Sequence, residues 1–173
     1  MAALFTATVL ILGTDDVGEL ALGLALCALL LTITLTDLER GTIPNVVLLV
    51  GALAGAGIAA ASDPGSIPER AIAATGAGCF LCLIAIAYPR GMGIGDVKLV
   101  AVMGLYLGRA VAPALLIGFA AGALVGLVMI VRGGAGARKQ AIPFGPFLAL
   151  GGTVGLWYGD AMVDWYVDTF LHG

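Results

Sequence analysis

The sequence predicts an all-α fold: a polytopic transmembrane helix bundle of about six membrane helices, preceded by a short apolar N-terminal segment. The first observation is composition, since 61% of the 173 residues are hydrophobic, 11% are charged and the mean hydropathy is +1.10. Soluble domains contain roughly 45–50% apolar and about 25% charged residues. The second is that the apolar residues form long runs, without the alternation expected of barrel strands.

Each membrane helix is predicted from an apolar run bounded by charges, glycine clusters or prolines. The runs cover 19–37, 45–61, 69–88, 96–107, 110–131 and 144–158. Several are shorter than about 20 residues, so tilt or local thinning of the membrane is expected. Residues 1–13 lack the basic start of a secretory signal and are interpreted as a membrane-associated or partial span. Glycine pairs four positions apart predict close helix packing at 51/55, 118/122 and 122/126.

The C-terminal residues 160–171 place Asp160, Asp164 and Asp168 on one helical stripe. We interpret this segment as an interfacial helix with a solvated acidic face. A divalent-cation site is the less favoured alternative, because carboxylates in single file rarely converge on one ion without carbonyl ligands.

The basic residues divide unequally between the two sides if each predicted helix crosses the membrane once. One side carries Arg40, Arg90, Lys98, Arg132, Arg138 and Lys139, and the other carries Arg70 and Arg109. The positive-inside rule makes the first side cytoplasmic, and the same assignment places Asp37 and Asp96 at that side. The sequence therefore predicts a multi-pass protein of the inner (cytoplasmic) membrane.

Composition also bounds partners and cofactors. The net charge of −3, without a basic patch interleaved with aromatics, gives no support for nucleic-acid binding. Cys27, Cys79 and Cys82 lie in apolar runs, and the lone C-x-x-C pair is interpreted as buried small hydrophobes rather than a metal site. His172 is the only histidine, so no metal and no cofactor is expected.

Two aspartates are the candidates for chemistry. Asp96 follows three glycines in the stretch GMGIGDVK at 91–98, where the backbone can bend and approach closely, and Asp37 ends a separate apolar run. Two carboxylates held close suit peptide hydrolysis, because one stays protonated as an acid while the other activates water as a base. The structural alternative is that Asp37 pairs with Arg40 or Arg90, and that Asp96 caps its helix or pairs with Lys98. The residues alone leave both interpretations open.

Three motifs then occur in order along the chain: DLERGTIPN at 37–45, GIGD at 93–96 and IPFGPFLA at 142–149. Together they resemble the type IV prepilin peptidases, intramembrane aspartyl proteases whose class is named for the G-x-G-D signature. The resemblance covers about 19–158 of the sequence. It implies an endopeptidase that removes the basic leader from prepilins or pseudopilins at the cytoplasmic membrane face, with membrane lipids around it and no cofactor.

The resemblance also implies roles for individual residues. Asp37 and Asp96 would be the catalytic pair, while Gly93 and Gly95 would let the substrate backbone come close. Three further positions would shape the site: Pro44 and Asn45 at the turn after Asp37, and Lys98, which either holds a carboxylate ionised or, as we favour, extends its charge to water.

The whole of 1–173 is expected to be one integral-membrane peptidase domain. It resembles the short branch of the family that lacks the zinc-binding N-terminal domain, such as the Flp/Tad-type prepilin peptidases or the archaeal preflagellin peptidases, and methyltransferase activity is not expected. The alternative is a non-enzymatic membrane component or small transporter that uses Asp37 and Asp96 as a proton or ion relay. The ordered motifs favour the peptidase.

Overall fold

The computed structural model describes residues 2–14, 16–88, 92–133 and 143–170. Within these ranges the chain forms helices and no strand, which confirms the all-α prediction. The α-helices are α1 (Ala2–Leu12), α2 (Val17–Arg40), α3 (Asn45–Ser62), α4 (Ile67–Ala87), α5 (Ile94–Leu107), α6 (Val111–Gly133) and α7 (Gly145–Phe170). The six predicted runs correspond in order to α2 through α7.

Among the described residues, four helical segments are long and apolar enough to cross a membrane by length and composition: Val17–Arg40, Asn45–Ser62, Pro64–Ala87 and Ile94–Arg132. The last contains both α5 and α6. Between them the chain reverses direction in a 3-10 turn, where Gly108 adopts a φ of 53° that favours glycine. Helix α5 then lies antiparallel to α4, and α6 lies antiparallel to α7.

Helix α2 is bounded by two local signals. At its start the Asp16 carboxylate accepts hydrogen bonds from the backbone N–H groups of Gly18 and Glu19, at 2.8 and 3.1 Å. At its end Gly41 takes the left-handed conformation (φ 62°), and its N–H donates to the Asp37 carbonyl. The chain therefore leaves α2 immediately beyond Asp37 and turns into α3.

Glycines allow the helices of the bundle to approach closely. A Cβ on Gly104 of α5 would lie 2.5 Å from the Ala74 Cα of α4, and a Cβ on Gly151 of α7 would overlap the Ala114 carbonyl oxygen of α6. Such contacts are typical of helix packing in lipid, where small residues let backbones meet. The largest fully buried side chains are apolar with one exception, Thr8: Leu26, Leu30, Ile33, Leu81, Leu99, Met103, Leu148, Val100, Thr8 and Cys27.

A buried tyrosine links α5 to α3. The Tyr106 hydroxyl donates a 2.7 Å hydrogen bond to the Gly51 carbonyl oxygen, and its ring lies against Gly55, where a Cβ would be 2.7 Å from the ring. Both glycines of the 51/55 pair therefore sit at a close contact, as that spacing predicts.

Tyr106→Phe should lower the free energy of unfolding by about 1 kcal/mol, because it removes this buried hydrogen bond and keeps the ring. Tyr158→Phe is the matched control, since Tyr158 is exposed, and we expect a change within about 0.5 kcal/mol. Reversible unfolding in mixed detergent micelles measures both. Equal stability of the two variants would show that the hydroxyl contributes nothing.

The C-terminal helix differs from the prediction. The sequence predicts separate membrane and interfacial helices over 144–158 and 160–171, whereas α7 is continuous from Gly145 to Phe170. Gly159 does not end the helix; it lies within α7 and packs against Ala110 of α6. Two of the three acids are also paired rather than simply solvated.

At the end of the bundle remote from Asp37, charged side chains join the helices. Arg109 forms ion pairs of 2.9 Å with Asp160 and 2.8 Å with Asp164. Arg70 of α4 donates to the Leu105 and Tyr106 carbonyl oxygens at the end of α5. These contacts attach the turn between α5 and α6 to its neighbouring helices.

Helix α1 is a short addition to this same end. With 11 residues it is well below the roughly 20 that a membrane crossing needs. It packs on α2 and α7, where the Trp157 indole N–H donates to the Thr8 hydroxyl at 3.2 Å and Thr8 lies 3.4 Å from the Cys27 sulfur.

Candidate active site

Asp37 and Asp96 line one open pocket of about 420 Å³ at a single end of the bundle. The end of α2 and the starts of α3 and α5 meet there. The lining residues are Asp37, Gly41, Thr42, Ile43, Asn45, Gly93, Ile94, Gly95, Asp96 and Lys98. The two aspartates are 6% and 9% exposed.

Asp96 is positioned by its own helix. Helix α5 begins at Ile94, two residues before the predicted start, with Gly93 at the N-cap position. The Asp96 Oδ2 atom reaches back and accepts a hydrogen bond from the Gly93 N–H at 3.1 Å. The capping interpretation therefore describes Asp96 correctly, and it leaves the carboxylate at the pocket wall.

Asp37 is positioned by a distant part of the chain. Its Oδ2 atom accepts a 2.9 Å hydrogen bond from the backbone N–H of Gly145, at the start of α7. Among the described residues, the ion pairs are those of Arg109, so Asp37 does not pair with Arg40. Arg90, the other predicted partner, lies outside the described residues.

The two glycines of the GIGD motif serve close approach rather than an unusual backbone conformation. Gly93 has a φ of −81°, and neither Gly93 nor Gly95 is among the positive-φ residues. A Cβ on Gly93 would lie 3.3 Å from the Asp96 Oδ2 atom, and a Cβ on Gly95 would lie 3.0 Å from the Ile43 Cβ. Glycine at these positions therefore leaves room for the carboxylate and for the segment after α2.

A hydrogen bond connects Lys98 and Asn45, which both line the pocket. The Lys98 Nζ atom donates a 2.9 Å hydrogen bond to the Asn45 side-chain oxygen, and the described contacts of Lys98 include neither carboxylate. Pro44 stands immediately before α3 with a φ of −67° and sets where that helix begins, although it does not line the pocket.

Gly145 binds the Asp37 carboxylate, although sequence reasoning gave it no role. It is separated from Asp37 by 108 positions, so no local spacing connects the two. Its place in the segment IPFGPFLA was the available signal; Ile142 of that segment lies outside the described residues. In the part of the chain that is described, His, Cys, Asp and Glu form no group of three suited to a metal ion.

The chain is similar to known proteins of one family. The model of the "Type IV leader peptidase family" matches residues 24–137, a range that contains both aspartates. No solved structure matches.

Three relatives, all called "Prepilin leader peptidase/N-methyltransferase", illustrate the similarity. The protein of Bacillus subtilis (strain 168) is 32% identical over 156 residues, which is 88% of this chain and 62% of the relative. That of Burkholderia pseudomallei (strain K96243) is 34% identical over 148 residues, or 82% and 48%. That of Legionella pneumophila is 41% identical over 81 residues, or 46% and 28%.

The chain thus spans between 28% and 62% of the length of these curated relatives. The family model matches more than half of the chain, and the matched part carries the helices from most of α2 through α6. The chain belongs to the type IV leader peptidase family.

Proposed function

We propose that this chain is a multi-pass membrane aspartyl endopeptidase that hydrolyses the peptide bond at the end of the leader of prepilin-like or pseudopilin-like precursors. The single observation that carries the proposal is the pair formed by Asp37 and Asp96, two nearly buried carboxylates on different helices that line one open pocket. The family match and the names of the relatives support the choice of substrate.

The hydrogen bonds of the two aspartates suit hydrolysis by water. Each uses its Oδ2 atom for a backbone N–H, from Gly145 or Gly93, and among the described residues Oδ1 has no protein donor. In the proposed reaction one carboxyl group of the pair carries a proton and the other is ionised. The ionised carboxylate takes a proton from water as the water attacks the scissile carbonyl, and the protonated one gives its proton to the leaving amine.

The relay alternative receives less support from the described residues. A proton or ion path needs polar groups between the pocket and the opposite end of the bundle. The interior between those ends is filled by fully buried apolar side chains, among them Leu30, Ile33, Leu99 and Met103. A pocket closed on the inner side fits a site that receives a peptide from one face.

We also propose that the pocket end faces the cytoplasm. Arg40, Lys98 and Arg132 lie at the pocket end of their helices, and the count over the whole sequence is six basic residues against two. Cytoplasmic segments of membrane proteins carry the excess of Lys and Arg. The exposed Asn45, Lys98 and Glu39 would then be in contact with the cytoplasm.

The test is cleavage by the purified chain in lipid vesicles. A precursor with a basic leader followed by an apolar helix is reconstituted with it, and mass spectrometry identifies the products. We expect a single cut at the end of the leader, and no cut in vesicles without the chain. An intact precursor, together with a proton flux that Asp37→Asn abolishes, would support the relay and contradict the peptidase.

A further inference from the structure

The backbone of Gly145 contacts Asp37 in a manner that only glycine permits. Gly145 is buried at the first position of α7, and its N–H donates to the Asp37 Oδ2 atom at 2.9 Å. The first N–H groups of a helix have no partner within the helix. Asp37, which belongs to α2, therefore satisfies one of them in the way an N-cap side chain would.

The space beside this hydrogen bond has no room for a side chain at position 145. A Cβ built on Gly145 would lie 2.6 Å from the Asp37 Oδ2 atom, 3.1 Å from its Cγ and 3.2 Å from its Cβ. Any other residue would therefore push against the carboxylate itself. Because Asp37 is only 6% exposed, its side chain has little room to move aside without losing its place in the pocket.

Aromatic packing fixes the start of α7 on α6. The Phe144 ring lies 5.5 Å from the Phe119 ring, centroid to centroid, and a Cβ on Gly122 would be 2.9 Å from the edge of Phe144. The Phe144 carbonyl oxygen accepts hydrogen bonds from the N–H groups of Phe147 and Leu148, which begin the helix. The packing of α7 on α6 therefore holds the Gly145 N–H group in place.

We propose that Gly145 is a positioning residue for Asp37. Its N–H orients the carboxylate through Oδ2, so that Oδ1 is directed to the reacting water, and its lack of a Cβ leaves the carboxylate at the pocket wall. The two aspartates are then oriented in different ways. Asp96 is oriented by a backbone N–H of its own helix start, and Asp37 is oriented by the docking of α7 on α2. This inference rests on the proposed peptidase function.

The kinetic test compares Gly145→Ala with Gly152→Ala in the vesicle cleavage assay. A misplacement of about 1 Å in a catalytic group costs about 100-fold in rate, so we expect Gly145→Ala to lower kcat by about 100-fold and to leave KM within about twofold. Gly152 is on the same helix, and its Cβ would contact the flexible ends of Met103 and Leu30, at 2.8 and 3.0 Å. Gly152→Ala should change kcat by less than about threefold.

A Gly145→Ala variant with the kcat of the wild type would overturn the positioning role. If instead the wild type cleaves nothing, the proposed function fails. A second measurement that needs no activity then decides on Gly145.

That second measurement is the amide proton shift of Gly145 in micelles. Asp37→Ala should move the Gly145 amide proton upfield, because the carboxylate acceptor is lost, and should leave the Gly152 amide unchanged. Asp96→Ala is the matched case, since it should move the amide proton of Gly93 in the same direction. A Gly145 amide that does not respond to Asp37→Ala would overturn the inference.

Discussion

Gly151→Ala should lower the free energy of unfolding by about 3 kcal/mol, the upper end of the cost of overpacking a tightly packed interior. The added Cβ would overlap the Ala114 carbonyl oxygen and lie 2.7 Å from the Gly118 nitrogen, both of them backbone atoms of α6. Backbone atoms cannot rotate away as a side-chain end can. The helices α6 and α7 must therefore move apart at this contact.

Gly126→Ala is the matched control for this effect. Gly126 lies on α6, and a Cβ there meets no atom within 4 Å in the described structure. Alanine is the better helix former by up to about 1 kcal/mol, so this variant should be as stable as the wild type or slightly more stable. Reversible unfolding in mixed detergent micelles compares the two. Equal unfolding midpoints for Gly151→Ala and Gly126→Ala would contradict the packing described between α6 and α7.

The helix order was predictable because charges and glycines bound the apolar runs. The first predicted helix, 19–37, is observed as Val17–Arg40, and the fourth, 96–107, as Ile94–Leu107. The error at the start of α5 has a physical cause. An Asp near a helix start either caps directly or reaches back from the third helical position, and Asp96 does the second.

The spacing of glycines predicted contacts only in part. Gly118 and Gly122 both face α7, with Phe147 and Phe144 as neighbours. A Cβ on Gly126, one turn further along, would meet no atom of the described residues within 4 Å. The Gly-x-x-x-Gly spacing indicates only that two glycines lie on the same helix face. How far the neighbouring helix extends along that face depends on the tertiary structure.

The shared end of Asp37 and Asp96 was predictable from counting helix crossings, and their common pocket is what the structure adds. The backbone donors that bind these two carboxylates were not equally predictable. Gly93 is three residues from Asp96, within reach of a local pattern, but Gly145 is 108 residues from Asp37. That contact depends on how α7 packs against α2, which no local pattern in the sequence encodes.

Asp37→Asn and Asp96→Asn should each lower kcat for leader cleavage by about 10⁴-fold or more, because residues that act as one catalytic unit lose most of their effect when either is removed. Asparagine keeps the size of the side chain and still accepts a backbone hydrogen bond through its oxygen. It can neither take a proton from water nor carry one to the leaving amine. Folding should therefore be retained while the chemistry is lost.

Asp168→Asn is the control for these substitutions, since Asp168 is an exposed aspartate on α7 outside the pocket. We expect it to cleave at the rate of the wild type. The thermal unfolding of all three variants, measured in the same detergent, separates loss of chemistry from loss of fold.

Single-turnover cleavage tests the proposal that Asp37 and Asp96 together hydrolyse the leader bond. The purified wild type, the two Asn variants and Asp168→Asn are compared for single-turnover cleavage of a leader-bearing precursor in lipid vesicles. We expect complete cleavage by the wild type and by Asp168→Asn, and none detectable by Asp37→Asn or Asp96→Asn. Cleavage by Asp37→Asn or by Asp96→Asn at a rate near that of the wild type would contradict the catalytic role of that aspartate.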